Sequence, residues 1–171
     1  TGYYVAGSTP GTDTIRVTDA LSATATATVT VVALASAVDY SVTSTAGLPA
    51  SGVAGETIPG GVSFTVTNAG PGDGAAPVSW TVYLSANAAL DGGDVVVDEG
   101  TTAALVDDGS TVVNLSGTYP LSPLGAGFLI VAVSAADDTS PLNNTSTPKA
   151  FTLDPRPVDY YVSSVNHFTG T

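Results

Sequence analysis

The sequence predicts an all-β protein whose main body is a seven-stranded immunoglobulin-like β-sandwich, flanked by partial strands of neighbouring domains. Three observations carry that expectation. Val and Thr recur in short runs that alternate apolar and polar residues, the period of a strand with one buried face. Gly, Pro, Asn and Asp clusters separate the runs, and the 171 residues include 19 Gly and 11 Pro, which interrupt helices and build turns. About seven such runs fall between residues 36 and 154, the number an immunoglobulin-like sandwich needs.

Residues 1–35 read as a single hairpin. Gly11 to Asp19 forms one strand, and Thr24 to Val31 strictly alternates Thr with Ala or Val. The second strand therefore has one hydroxyl face and one apolar face. Asp19-Ala-Leu-Ser22 between them suits a turn. Two strands alone are marginally stable in water, so the hairpin needs partners that residues 1–35 do not supply.

Residues 36–154 carry the complete sandwich. The strands are expected at Tyr40 to Thr43, Val62 to Thr67, Val78 to Leu84, Asp94 to Val97, Thr111 to Leu115, Phe128 to Ser134 and Ala150 to Leu153. Turn clusters at 68–74, 91–94 and 107–110 separate several of them. Trp80, the only Trp, lies midway along the third strand. It is expected between the sheets with Phe64, Val66 or Ile130 nearby. Phe128 to Val133 lacks alternation and reads as a central strand covered on both sides. The alternative is that one of its faces is used for binding.

Val38-Asp-Tyr-Ser-Val-Thr-Ser44 and Val158-Asp-Tyr-Tyr-Val-Ser-Ser164 match at an offset of 120 residues. The spacing points to tandem domains. Residues 155–171 are then a linker and the first strand of a following repeat, and Pro155 and Pro157 keep that linker short and extended. The chain contains no Met, as expected of a piece processed or excised from a longer protein.

Together these residues resemble a known family. The stretch from Val38 to Leu153 looks like CARDB, the cell-adhesion-related domain found in bacteria. The match lies in Asp39-Tyr40, Phe64-Thr-Val-Thr-Asn-Ala-Gly70, Val82-Tyr-Leu-Ser85, and Gly127-Phe-Leu-Ile-Val-Ala-Val133 followed by Asn143-Asn144. The resemblance implies an immunoglobulin-like sandwich repeated in tandem in surface and secreted proteins. The family's usual acidic residues around the double Asn are partly Thr here. Residues 1–35 resemble the last two strands of a different bacterial immunoglobulin-like repeat, through Gly11-Thr-Asp-Thr-Ile15, Val17-Thr-Asp19 and the Thr-Ala-Thr-Val-Thr run.

Charge and composition narrow the function. Three Lys and Arg face 15 Asp and Glu, a net charge of −12, which opposes binding to nucleic acid and to anionic membrane surfaces. With no Cys there is no disulfide framework, thiolate metal site or cysteine nucleophile. No basic-then-apolar start marks a signal peptide, and the longest apolar run, from Phe128, is far shorter than a membrane span. The abundance of Thr, Ser, Ala, Val and Gly suggests a secreted or surface location.

Catalysis is not expected. The single His, His167, lies outside the complete sandwich, so a Ser-His-Asp triad and a multi-histidine metal site lack their histidines. Gly70-Pro-Gly-Asp-Gly74 lacks the Lys of a phosphate loop. Asp107-Asp108 and Asp137-Asp138 read as solvated turn residues. Calcium is the one cofactor considered: Asp91, Asp94 and Asp98, with Asn87, offer hard oxygens in one region after the third strand. Their spacing is not that of an EF-hand, and Asp91-Gly-Gly-Asp94 is equally a plain turn. Asn68, Asn143 and Asn144 read as side chains that close turns by bonding to backbone. Asn114, Asn143 and Asn144 also open glycosylation triplets. Lys149, the single lysine, reads as a guard against edge pairing; the alternative is an isopeptide bond to Asn or Asp assisted by Glu56 or Asp39.

The functional expectation is a non-catalytic extracellular structural or adhesion module, whose partners are neighbouring immunoglobulin-like domains or subunits. The alternative is a filament subunit in which one chain's strands complete the sheet of the next.

Overall fold

The computed structural model describes residues 11–31, 37–158 and 160. The chain divides into two units, Thr1–Ser36 and Ala37–Thr171. Among the described residues both are built of strands, apart from one 3-10 turn at Pro141–Asn143.

In the first unit β1 (Gly11–Thr18) pairs antiparallel with β2 (Thr24–Val31). The register sets Ile15 opposite Ala27 and Val17 opposite Ala25, while Thr14 faces Thr28 and Thr12 faces Thr30. Strand alternation therefore collects the aliphatic side chains on one face and threonines on the other. The turn closes because an Asp19 carboxylate oxygen accepts the N–H groups of Leu21 and Ala23 at 2.9 and 2.8 Å.

The second unit is a β-sandwich. Its strands are β3 (Tyr40–Ser44), β4 (Ser51–Val53), β5 (Ser63–Asn68), β6 (Val78–Ser85), β7 (Val95–Thr102), β8 (Ser110–Asn114), β9 (Gly125–Ser134) and β10 (Lys149–Asp154). One sheet has the order β3-β5-β8, the other β4-β10-β9-β6-β7. The seven strands expected from the sequence are present. β4 is an eighth, and its cause is tertiary. After β3 the chain leaves the three-stranded sheet and runs parallel to β10 along the edge of the other. Gly52 admits the Tyr119 ring there, since a Cβ on residue 52 would lie 2.6 Å from it.

The inner faces of both sheets supply the core: Tyr40, Phe64, Val66 and Val113 from one, Trp80, Val82, Leu84, Leu129, Val131, Val133, Phe151 and Leu153 from the other. Trp80 is 9% exposed and meets Phe64 edge-to-face, ring centroids 5.6 Å apart at 71°, the geometry that aromatic quadrupoles favour. Its cross-strand neighbours are Val133 and Gly100. Ile130 is not among them. β9 pairs it with Tyr83, one residue out of phase with the core, so it points to the opposite face. It is nevertheless only 1% exposed, while Phe128 and Ala132 beside it are half-buried. β9 is thus a central strand covered on both sides at its middle.

The sandwich has two distinct ends. Val38 bridges Asp138, just past the end of β9, so residues 37–39 lie at β9's C-terminal end. Leu153, near the end of β10, pairs with Gly125 at the start of β9. Ten residues of β9 separate the two points, about 30 Å at the usual strand rise. Pro155, Arg156 and Pro157 follow β10 as exposed, unpaired chain. The repeat strand expected from Val158 to Ser164 falls, apart from Val158 and Tyr160, outside the described residues, as does His167. Among the described residues no helix is long and apolar enough to cross a membrane.

Candidate functional site

The proposed calcium ligands start in the loop between β6 and β7, which folds through its own side chains. Ser85 Oγ accepts the Asn87 N–H at 3.2 Å and donates to Ala89 O at 3.1 Å. Asn87 Oδ1 accepts the Ala89 N–H at 2.8 Å, and its Nδ2 donates to Asp91 Oδ2 at 3.0 Å. Asp91 Oδ1 accepts the Gly93 N–H at 2.8 Å, and Asp94 Oδ2 accepts the Asp91 N–H at 2.9 Å. The Asn87 amide and then the Gly93 N–H hold the Asp91 carboxyl below the ordinary aspartate range, because each bond favours the charged form.

Asp98 is not part of that loop. It lies four residues further along, on β7, opposite Val82. Its Oδ2 accepts the N–H groups of Ser116 and Gly117 at 2.8 and 3.1 Å, and its Oδ1 accepts the Glu99 N–H at 3.0 Å. The expected set of Asp91, Asp94 and Asp98 therefore separates into a local turn and a bond to the chain that follows β8. Among the described residues no group of three or more His, Cys, Asp or Glu is placed to hold a metal ion.

The polar chemistry concentrates instead at the end of the sandwich that holds residues 37–39. Asn68, at the end of β5, is 0% exposed. Its Oδ1 accepts the N–H groups of Asp39 and Gly70, both at 3.1 Å. Its Nδ2 points at the carbonyls of Gly72, Leu105 and Val106, at 2.8, 3.1 and 3.2 Å. The expected turn closure is there, and the same side chain also ties in the loop between β7 and β8. Gly70 and Gly74 permit the packing: a Cβ would strike the Ala37 carbonyl at one and the Tyr40 hydroxyl at the other.

Asp137 and Asp138 are staples rather than free turn residues. Asp137 Oδ2 accepts the N–H groups of Ala75 and Ala76 at 2.6 and 2.9 Å. These two bonds, the Ala75 one foremost, hold its carboxyl below the ordinary aspartate value. Asp138 accepts the Ser140 N–H through Oδ1 and the Asn144 Nδ2 through Oδ2, at 2.9 and 2.8 Å. Asn143 Nδ2 donates to Asp39 Oδ1 at 2.8 Å. The double Asn thus bonds to carboxylates, not to backbone as expected. Asn144 is only 7% exposed, which removes it as a glycosylation acceptor, while Asn114 and Asn143 are exposed. Asp39 sits at this end and Glu56 at the other, where its carbonyl accepts the Tyr119 N–H. Lys149 begins β10 opposite Leu129.

Two shallow recesses mark the five-stranded sheet. One, of about 470 Å³, is lined by small and apolar residues including Ala86, Ala126, Phe128, Ala150 and Thr152. The other, of about 390 Å³, runs beside β7 past Ser79, Thr81, Glu99 and Thr101. In the second, Thr81 on β6 pairs with Glu99 on β7, and neither lining contains a His, Lys or Arg. No sequence signal ties Asp98 to residues 116–117 or Asp137 to residues 75–76, since both contacts are made only when the chain folds. Asp138-x-Ser140 is the exception, being a local Asx turn. A scan against family models finds no match for the chain, and a search of curated proteins finds no relative.

Proposed function

We propose that residues 36–154 act as a non-catalytic structural or adhesion module of an extracellular tandem-repeat protein, of the CARDB type that the sequence resembles. The observation that carries this reading is the placement of the ends. Chain enters the sandwich beyond the C-terminal end of β9 and leaves at its N-terminal end. Units joined this way extend a string by about one strand length each, which is what a spacer must do. The 120-residue sequence offset supports the same reading. So does chemistry dominated by carboxylates bonded to loop backbone rather than gathered around a cleft.

The test joins two copies of residues 36–154 through the native 155–157 linker and measures small-angle scattering. An increase in maximum dimension of about 30–40 Å over one copy supports the spacer. A pair that folds back on itself overturns it. Antibody against the sandwich should also label intact producing cells, and label that appears only after lysis removes the extracellular assignment.

A second reading is a filament subunit completed by strands from another chain. The β1–β2 hairpin favours it, being a two-stranded sheet with its aliphatic residues on one face. A particle size that grows with concentration supports this reading, and a monomer at every concentration removes it.

A further inference from the structure

The loop between β9 and β10 (residues 135–148) reaches the β5–β6 loop through a carboxylate, while its second half is fastened to β9. Asp137 fastens it to Ala75 and Ala76 in the loop between β5 and β6. Asp39, ahead of β3, accepts Asn143. Asp138 fastens the loop to itself through Ser140 and Asn144. Backbone and hydroxyl bonds hold the rest: Thr139 donates to Val38 O through its N–H and its hydroxyl, at 2.9 and 2.8 Å, Asn144 O accepts the Val133 N–H at 2.9 Å, and Ser146 donates its N–H to Val131 O and accepts the Val131 N–H on Oγ, at 2.8 and 3.0 Å.

The electrostatic surroundings are of one sign. The leading residues contribute Asp39, the β5–β6 loop contributes Asp73, the β7–β8 loop contributes Asp107 and Asp108, and the β9–β10 loop contributes Asp137 and Asp138. Asp73 Oδ1 accepts the Asp107 N–H at 3.0 Å, which links two of these loops. The one cation in residues 37–154, Lys149, begins β10 opposite Leu129, four residues of β9 short of Val133. No Arg or Lys stands within any of the four segments.

Asp137 has a place for a proton. Its Oδ2 takes both N–H bonds, whereas its Oδ1 is buried and has no hydrogen-bond partner. A proton on Oδ1 turns Oδ2 from a charged into a neutral acceptor, which weakens both bonds.

We propose that this loop is an acid-operated latch: proton uptake by Asp137 detaches the first half of the loop from the β5–β6 loop while the apolar sandwich and the bonds to β9 stay in place. The core has no part in the titration, since its residues are aliphatic and aromatic. The sign follows from Asp137. Its carboxyl is held below the ordinary value of 3.8, so the contact is complete above that value and is lost as pH falls through the lower one. The surface that this end presents at neutral pH is thereby remodelled in acid.

The test is amide exchange and 1H–15N NMR on the whole 171-residue chain, from neutral pH down to about 2.5. The Ala75 and Ala76 amides should lose about tenfold in protection, corrected for intrinsic exchange, while Val82 and Val131 keep theirs and Trp80 emission stays that of a buried indole. Asp137→Asn keeps the shape without the charge. It should weaken protection at Ala75 and Ala76 at neutral pH and remove most of its pH dependence, with Trp80 emission confirming the fold. Loss at Ala75 and Ala76 only together with Val82 and Val131 overturns the latch. So does a wild-type pH profile in Asp137→Asn.

Discussion

The Asp98 carboxylate accepts the Ser116 N–H at 2.8 Å, which binds an edge strand of one sheet to the segment that leaves the other. The second bond from Gly117 to the same oxygen, at 3.1 Å, makes a two-donor cradle. Gly117 fits because it approaches closely: a Cβ there would lie 3.0 Å from the Asp98 carboxyl carbon.

Asp98→Ala should therefore lower stability by about 1 kcal/mol, the modest end for charge-assisted bonds because the side chain is half-exposed. Asp91→Ala, which removes contacts made within an exposed turn, should cost less. Urea unfolding of both variants at neutral pH checks the order. Equal losses would mean that Asp98 is another turn residue and not a tie between sheets.

Trp80 closes the core against Phe64 and lies over Gly100. Trp80→Ala should cost about 3–5 kcal/mol through the cavity it leaves. Gly100→Ala puts a methyl 2.6 Å from the indole, and overpacking of that kind costs about 1–3 kcal/mol. Its fluorescence should show a disturbed Trp environment in a protein that still folds. An unaltered emission spectrum and an unaltered unfolding midpoint in Gly100→Ala would contradict this contact.

Asn68 serves five backbone groups from one fully buried side chain. Asn68→Ala should cost about 3–4 kcal/mol, since it strands several of them without water. Asn68→Asp is the sharper experiment. It aims a carboxylate at three carbonyl oxygens, which raises the folded-state pKa of the introduced group. Its stability should be highest when that group is protonated and fall as pH rises through the carboxylate range. A variant whose stability is flat with pH would place the amide elsewhere.

Local pattern and tertiary contact divide what could be read from the chain. Val62 to Thr67 and Val78 to Leu84 alternate so regularly that β5 and β6 follow from period alone. Trp80 against Phe64 follows from the same inward phase. Ile130 shows where period fails, because a run apolar on both faces carries no phase. β4 has three residues, one of them Gly, and exists because β10 offers an edge and Tyr119 needs the space over Gly52. The acidic residues looked alike in sequence. They differ by which N–H groups the fold brings to them: local ones for Asp91, those of another loop for Asp137, those beyond the opposite sheet's β8 for Asp98.

That difference decides how the protein should respond to divalent ions. Residues 36–154 contain ten Asp, two Glu and one Lys, and a domain so charged is destabilised by self-repulsion, most at low salt. Calcium and magnesium should both raise the melting temperature by screening. A selective site would add more, because an ion bound only to the folded state stabilises it in proportion to the logarithm of its concentration over Kd. Such a site needs several oxygens converging on one point. Asp98 has its oxygens committed to Ser116, Gly117 and Glu99, and Asp91 and Asp94 have theirs turned to Asn87, Gly93 and the Asp91 backbone. Calcium and magnesium at matched ionic strength should therefore shift the melting temperature alike. Asp94→Asn, which loses a charge but keeps an acceptor for the Asp91 N–H, should leave both shifts nearly unchanged. A calcium excess that disappears in Asp94→Asn would mean that the β6–β7 loop rearranges to close around the ion, drawing Asp91 and Asp94 away from the bonds that now hold them.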